Sequence, residues 1–437
     1  MATGQINTAK ADRFLLLMGI GVIAIALFAI FTRNSDKPIA AVIGIERRTL
    51  VFTQWWQDEM EGDALRYLIQ EFEKQNPDIR IRLDTRSYIE IRDRLIYPEN
   101  AARTAPWDNA ALNPDILGID PRWLQDLVQG QKLESLELFL AREDESQSVI
   151  VSESDEPYTN WVLPLASFMT PLFYNIDILQ AAGFDRPPRN QREFLAYARA
   201  ATDHRSACYG FAISLSPRDP NSIFRDVFSW IWASGIPLVQ QGALAFDVPQ
   251  IRNALALLND LYQEGSMAQD PFLKTGMDRV REFTAGQIAM MIGSVSDIST
   301  ILDSGISFGI TTIPNPPEYL GMPRFNLQNW YVGISSSCKY MEDAWKFIRF
   351  LYDHSALIGA SAAAQPRQTG NSSLSEPLYA KINDISAAGE AQRDFYNLSR
   401  VDILERIVRD ELRLMFSGFQ SPAETAQVVQ RRWDSWF

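Results

Sequence analysis

The sequence predicts an α/β protein. Apolar runs of strand length alternate with segments of helical period, and the first two such runs flank a helix in β-α-β order. The chain of 437 residues is 46% hydrophobic and 22% charged, enough apolar material for two or three domain-sized cores. Alternation of this kind predicts parallel sheets with helices packed on both faces.

The first informative segment runs from Phe14 to Phe31, FLLLMGIGVIAIALFAIF, without a charge, between Lys10 and Arg13 on one side and Arg33 and Lys37 on the other. As a helix it reaches about 27 Å, close to the roughly 30 Å hydrocarbon core of a bilayer. Ala24-Ile25-Ala26 offers a cleavage triplet, yet Leu27 to Phe31 stays apolar where a cleaved leader turns polar, which favours a retained anchor. The expected order is a cytoplasmic N-terminus at 1–13, a transmembrane anchor or signal segment at 14–32 and a linker at 33–47. Basic residues flank both ends, so charge does not set orientation. No cysteine lies near the end of the run, which excludes a lipid-modified N-terminal Cys.

Residues 49–56, TLVFTQWW, read as a buried strand ending in paired tryptophans. A helix follows from Gly62, with Leu65, Leu68, Ile69 and Phe72 on one face, and Asn76-Pro77 stops it. Ile79, Ile81 and Leu83 then alternate with charged residues, the period of a strand with one buried face. PDILGID (114–120) is a further short strand, followed by a helix through Trp123, Leu124, Leu127 and Val128. The acidic stretch at 142–157 reads as a solvated loop. NWVLPLASFMTPLFYNIDIL (160–179) carries a proline in each of two apolar runs, which suits edge or crossover strands. Helical period returns at Ile251, Leu255, Leu258 and Tyr262, at Ala344, Phe347, Ile348 and Leu351, and at Ile403, Leu404, Ile407 and Leu414. Ser421-Pro422-Ala423-Glu424 is a capping box that opens the last helix.

Composition removes several functions. A formal net charge of -13 argues against nucleic acid, whose phosphates need a surplus of Lys and Arg, and against an anionic lipid surface. The two cysteines, Cys208 and Cys338, match no metal-ligand spacing and read as two buried thiols. Only His204 and His354 occur, and GxSxG, P-loop and HExxH patterns are absent from the sequence, so no cofactor, metal or catalytic residue is assigned.

Taken in order, EFEKQNPDIRI, PDILGIDPRWLQDLVQGQKLESL, VLPLASFMTPLFYNIDILQAAGFDRPPRNQREFL, FTAGQIAMMIGS, FGITTIPNP and NWYVGISSSCKYMEDAWKFIRFL resemble the family 1 extracellular solute-binding proteins of ABC importers, the maltose-binding type. The resemblance covers nearly everything after residue 48. It implies a two-lobed periplasmic-binding-protein fold, type II-like, with hinge strands crossing near 163–165, 331–333 and 364–367. Lobe 1 is then expected at 48–162 with 332–362, and lobe 2 at 163–331 with 363–437.

On that architecture the ligand lies between the lobes, and the chemistry fits a neutral, hydroxyl-rich ligand such as a sugar. Apolar sugar faces lie on aromatic rings while hydroxyls need carboxylates, amides and guanidinium forks. The chain has 11 Trp. The expected ligand residues are Trp55, Trp56, Asp120, Trp161, Trp230, Trp232, Asp297, Asn329, Trp330 and Arg367, with Arg122, Asn160 and Asp226 as nearby polar candidates. Competing structural roles exist for several. Trp230 and Trp232 also read as core, Asp120 as a helix cap, and Arg122 and Arg367 as surface charges. The family often carries an aromatic after the Gly-Gln-x-Ala-Met block, whereas GSVSDIST here leaves Asp297 or Ser294 to serve.

The resemblance thus implies a monomeric receptor, not an enzyme, that captures a mono- or oligosaccharide and delivers it to the transmembrane subunits of an ABC permease. Its binding part is expected outside the cytoplasm, held to the membrane by a single pass. The alternatives are capture of a polyol phosphate or other small solute, a tethered sensor without transport, and a glycoside-acting enzyme using paired carboxylates.

Overall fold

The computed structural model describes residues 47–56, 64–98, 112–143, 158, 160–361, 376–392, 395 and 398–436. The apolar N-terminal run, most of the acidic stretch and the crossing expected at 364–367, with Arg367, lie outside the described residues. Within them the strands are β1 (Arg48–Gln54), β2 (Ile79–Thr85), β3 (Ile116–Ile119), β4 (Leu163–Met169), β5 (Leu172–Asn175), β6 (Tyr209–Ala212), β7 (Val239–Gln240), β8 (Ala243–Leu244), β9 (Ile288–Ile292), β10 (Phe308–Thr311), β11 (Arg324–Ile334) and β12 (Glu390–Gln392). The principal helices are α1 (Ala64–Gln75), α2 (Tyr88–Leu95), α3 (Pro249–Gln263), α4 (Gly276–Thr284), α5 (Met341–Asp353), α6 (Val401–Phe416) and α7 (Pro422–Asp434).

Two compact units divide the chain, Met1–Thr49 with Ile69–Ile81, and Leu50–Leu68 with Arg82–Phe437. In the first, the C-terminal part of α1 runs into the Asn76-Pro77 stop, where Asn76 Nδ2 donates to the Phe72 carbonyl at 3.0 Å. Ile79 and Ile81 are buried, and the Ile81 N–H donates to Glu73 Oε1 at 2.8 Å.

The second unit holds both main sheets. The larger runs β12-β11-β3-β1, with the 82–85 end of β2 beyond β1 and with β4 against β11. β1 and β3 pair parallel, as the β-α-β order predicts, but β11 runs antiparallel to β3 and to β4. The smaller sheet, β10-β5-β9-β6, is parallel only between β6 and β9. Both sheets are therefore mixed, which corrects the expectation of parallel ones. Strand-helix alternation fixes the direction of strands joined by a crossover; β5, β9 and β10 are spatial neighbours distant in sequence, so that alternation does not set their directions.

The two prolines also separate. Pro164 lies within β4, which among the described strands pairs with β11 alone, as the edge expectation requires. β5 instead runs between β10 and β9 in the interior of its sheet. Pro171 precedes its first residue, where the missing N–H costs no ladder bond, and its carbonyl accepts from the Gly293 N–H at 3.2 Å.

The core of the smaller sheet is built by the expected helical faces. Ile251, Leu255 and Leu258 of α3 and Ile403, Leu404 and Ile407 of α6 are buried in one cluster with Phe211, Met290 and Ile292, whereas Leu414, expected on the same face of α6, is exposed. Each of the buried side chains contributes about 1.5–3 kcal/mol through burial. Gly210 in β6 lies so close to the Ala198 carbonyl that a Cβ there would collide with it. The Ser421–Glu424 capping box forms as expected, the Ser421 N–H donating to Glu424 Oε2 at 2.8 Å and the Glu424 N–H to Ser421 Oγ at 3.2 Å. Cys208 and Cys338 are free thiols, and burial pushes the Cys338 thiol up to about 11.

Candidate functional site

A cleft of about 530 Å³ opens in the second unit where β4 and β11 meet the loops of the smaller sheet. Its floor comes from the antiparallel pair, with Phe168 opposite Gln328, and from Thr170 and Asn326. Arg218, Asp219, Pro220, Asn221 and Arg225 follow β6 and form one wall. The start of α4 (Thr275, Gly276, Met277) and the Ser294–Asp297 turn with Thr300 form the other.

The sequence dictates these positions locally. Thr275 and Asp278 close a capping box, which sets the direction of α4. Ser294 and Asp297 do the same for the turn after β9, where Asp297 Oδ2 accepts the Ser294 N–H at 2.8 Å and Ser294 Oγ accepts the Ser296 N–H at 3.2 Å. Asp219 ties the two walls together: it accepts the Gly276 N–H at 2.8 Å, the Asn221 N–H at 3.0 Å and an Arg225 N–H at 2.7 Å.

Behind the wall lies a buried ionic cluster. Arg225 Nη2 also donates to Ser214 Oγ at 2.7 Å and to Asp226 Oδ2 at 3.0 Å, and Arg279 donates to the other oxygen of Asp226. Burial alone would raise the Asp219 carboxyl, but the charge and hydrogen bond of Arg225, with Arg279 behind them, bring it below the ordinary carboxylate range. Burial depresses the Arg279 guanidinium, aided by the like charge of Arg225. Asp297 is pushed up by burial, against the pull of Arg279. Arg225 Nε, which has no hydrogen-bond acceptor among the described residues, is a buried donor beside the cleft. The lining therefore offers amides at Asn221, Asn326 and Gln328, hydroxyls at Thr170, Ser296 and Thr300, guanidinium groups and the carboxyls of Asp219 and Asp297, with Phe168, 2% exposed, beneath them. Groups of this kind hydrogen-bond hydroxyls from many directions. Among the described residues no set of His, Cys, Asp and Glu is placed to hold a metal ion.

A second chamber of about 290 Å³ lies beside the first, between α2 and the turn after β3 on one side and α6 on the other. Tyr88 and Trp123 face each other there at 4.6 Å between ring centroids, and Trp55 touches both, at 5.4 and 4.9 Å. Burial pushes the carboxyls of Asp126 and Glu405 upward despite their hydrogen bonds to Arg400 and Arg122.

Of the residues expected from sequence, Asp297 and Ser294 line the larger chamber, while Asp120 lies between the two chambers and caps the Pro121–Trp123 turn, its Oδ1 accepting the Arg122 N–H at 2.9 Å. Arg122 is not a surface charge but is 7% exposed and ion-paired. Trp230 and Trp232 take the core role, fully buried among Phe194, Phe224 and Phe395. Trp56 and Trp330 are fully buried against each other. Asn329 is buried in β11, donating to Tyr331 Oη at 3.1 Å and accepting from Ser167 Oγ at 2.7 Å. Asp226 belongs to the ionic cluster, Trp161 is half-buried and Asn160 exposed, and none of the three lines either chamber. Sequence reasoning missed Phe168, Asn221, Arg225, Asn326, Gln328 and Trp123. Only Phe168, within an expected crossing strand, and Asn221, in the Asp-Pro-Asn turn after an apolar strand, carried any signal.

The family model for bacterial extracellular solute-binding proteins matches residues 56–357. A binding protein of Brucella abortus (strain 2308) is 24% identical over 265 residues, 56% of this chain and 62% of that relative, so the match spans under two thirds of its length. Among solved structures, an ABC substrate-binding protein of Listeria monocytogenes in complex with cycloalternan aligns with TM-score 0.70 at 15% identity, covering 89% of this chain and 98% of that one. The GacH receptor of Streptomyces glaucescens, solved unliganded and with acarbose, aligns with TM-score 0.70 at 18% identity, covering 89% and 97%. These likenesses show the fold, the two-lobed α/β fold of periplasmic binding proteins. With more than half of its length matched by the family model, the chain belongs to the bacterial extracellular solute-binding protein family.

Proposed function

We propose that the chain is the ligand-capturing receptor of an ABC importer and that it takes a carbohydrate into the cleft over Phe168 for delivery to the permease. One observation carries this reading: the larger chamber is lined by amides, hydroxyls, guanidinium groups and carboxyls, the donor and acceptor mixture that replaces water around a polyhydroxylated ligand. The solved relatives bound to cycloalternan and to acarbose, both saccharides or saccharide analogues, support it. Ligand bridging the walls favours closure in proportion to its differential affinity for the closed state, and closure is what a permease would read. The lobes on this reading are 48–162 with 332–362 and 163–331 with 363–437. The apolar run at 14–32 tethers the monomer to the membrane with the binding part outside the cytoplasm.

The test is thermal-shift and calorimetric screening of the purified full-length chain in detergent against sugars, oligosaccharides, polyol phosphates and amino acids. At least one saccharide should raise Tm in a concentration-dependent way. A response to polyol phosphates alone, or to none of the panel, would refute the carbohydrate assignment.

A further inference from the structure

Arg122 sits on the turn that follows β3 of the larger sheet. Its guanidinium holds Asp120 of that turn at 2.6 and 2.8 Å, then reaches the Pro220 carbonyl at 2.6 Å, Asn221 Oδ1 at 2.8 Å and Glu405 of α6 at 2.9 Å. Pro220 and Asn221 leave β6 of the smaller sheet, and α6 packs in that sheet's core. The rings of Tyr88 and Phe224 flank the guanidinium, 5.2 and 5.0 Å from its carbon. One side chain thus stitches the loops of the two sheets together.

The stitch also stands between the two chambers. Pro220 borders both of them, and the space around Asp120, Arg122 and Asn221 that would join them holds only about 10 Å³, room for one water at most. We propose that the Arg122 bridge is a gate that sets ligand length. Intact, it confines a saccharide to the chamber of about 530 Å³; released, it joins that chamber to the one of about 290 Å³, where Tyr88, Asp126, Asp402 and Arg406 line room for additional sugar units. The length consequence rests on the carbohydrate reading, whereas the bridge itself does not.

The test uses the full-length chain and two variants. Arg122→Gln removes the charge and keeps a long polar side chain; Glu405→Gln weakens only the anchor on α6 and keeps the test open if the first variant fails to fold. Each protein is titrated with glucose, maltose through maltohexaose, and chitooligosaccharides of one to six units. The ratio of affinity for the longest to the shortest member should rise at least tenfold in both variants, and an unchanged ratio overturns the gate. Hydrogen exchange of the ligand-free proteins, read at the Arg122, Trp123 and Asn221 amides, should be at least tenfold faster in Arg122→Gln, and equal protection overturns the bridge. If no saccharide binds any of the three proteins, the carbohydrate reading fails and the exchange comparison alone decides whether Arg122 holds the division.

Discussion

Trp56 and Trp330 lie stacked, their ring centroids 5.0 Å apart and their planes 10° from parallel, with neither indole exposed. Trp56 follows β1 and Trp330 sits within β11, so the pair joins the end of one strand to the middle of another in the larger sheet. Phe52 and Phe168 pack on its flanks at 5.7 and 4.6 Å. Large rings buried in this way act chiefly through packing. Trp330→Ala should therefore cost about 3–5 kcal/mol of stability in urea unfolding. Stability within about 1 kcal/mol of the parent, together with abolished ligand binding, would instead assign Trp330 to the ligand.

The ionic cluster behind the cleft makes a second prediction. Asp226 is fully buried and is the shared anion of Arg225 and Arg279. Asp226→Asn leaves two buried guanidinium groups with one anion fewer, and should destabilise by about 3–5 kcal/mol. Because Arg225 shapes the wall through Asp219, the variant should also bind ligand less tightly. Denaturant unfolding that shows no loss would mean that solvent reaches the cluster.

Gln328 and Asn326 supply amides to the floor of the cleft from β11. Truncating Gln328 to Ala removes one net hydrogen bond, worth about 1 kcal/mol, or roughly fivefold in affinity for the saccharide that binds best. Folding stability should change by less than about 0.5 kcal/mol, because the side chain is only half-buried. Calorimetric titration beside thermal unfolding separates the two effects; an unchanged affinity would remove Gln328 from the site.

A pH prediction comes from a surface pair. Arg186 grips Glu193 with two bonds, at 2.7 and 3.0 Å, and the Arg189 N–H adds a third at 2.9 Å. These hydrogen bonds lower the Glu193 carboxyl from 4.5 to about 2. The folded value lies below the unfolded one, so the stabilisation is present above pH 4.5 and disappears as pH falls toward about 2. Glu193→Gln should lower Tm at neutral pH and converge with the parent near the acid end of that window. A Tm difference constant across the window would show that the charge of Glu193 is not what matters.

The fold was legible in the sequence where periodicity and punctuation act locally. The β1-α1-β2 order, the Asn76-Pro77 stop, the faces of α3, α5 and α6 and the capping box of α7 all follow from neighbouring residues. Strand directions were not, because β5 meets β9 and β10 through contacts that alternation along the chain does not encode. Of the expected residues, among those described, only Asp297 and Ser294 line the cleft, with Asp120 beside it. Tryptophan was a misleading guide, since indoles at strand ends serve packing as readily as binding, and Trp56, Trp230, Trp232 and Trp330 are all fully buried. Arg122 was ambiguous because its partners Asn221 and Glu405 lie far along the chain, and only folding brings them to 2.8 and 2.9 Å.

The most direct test of the central claim is a crystal structure of the full-length chain with the saccharide that stabilises it most. The account predicts sugar density in the cleft between Phe168 and the Ser294–Asp297 turn, with hydroxyls within hydrogen-bond distance of Gln328 and Asn221. Density at any other surface, or an empty cleft at saturating saccharide, would contradict it.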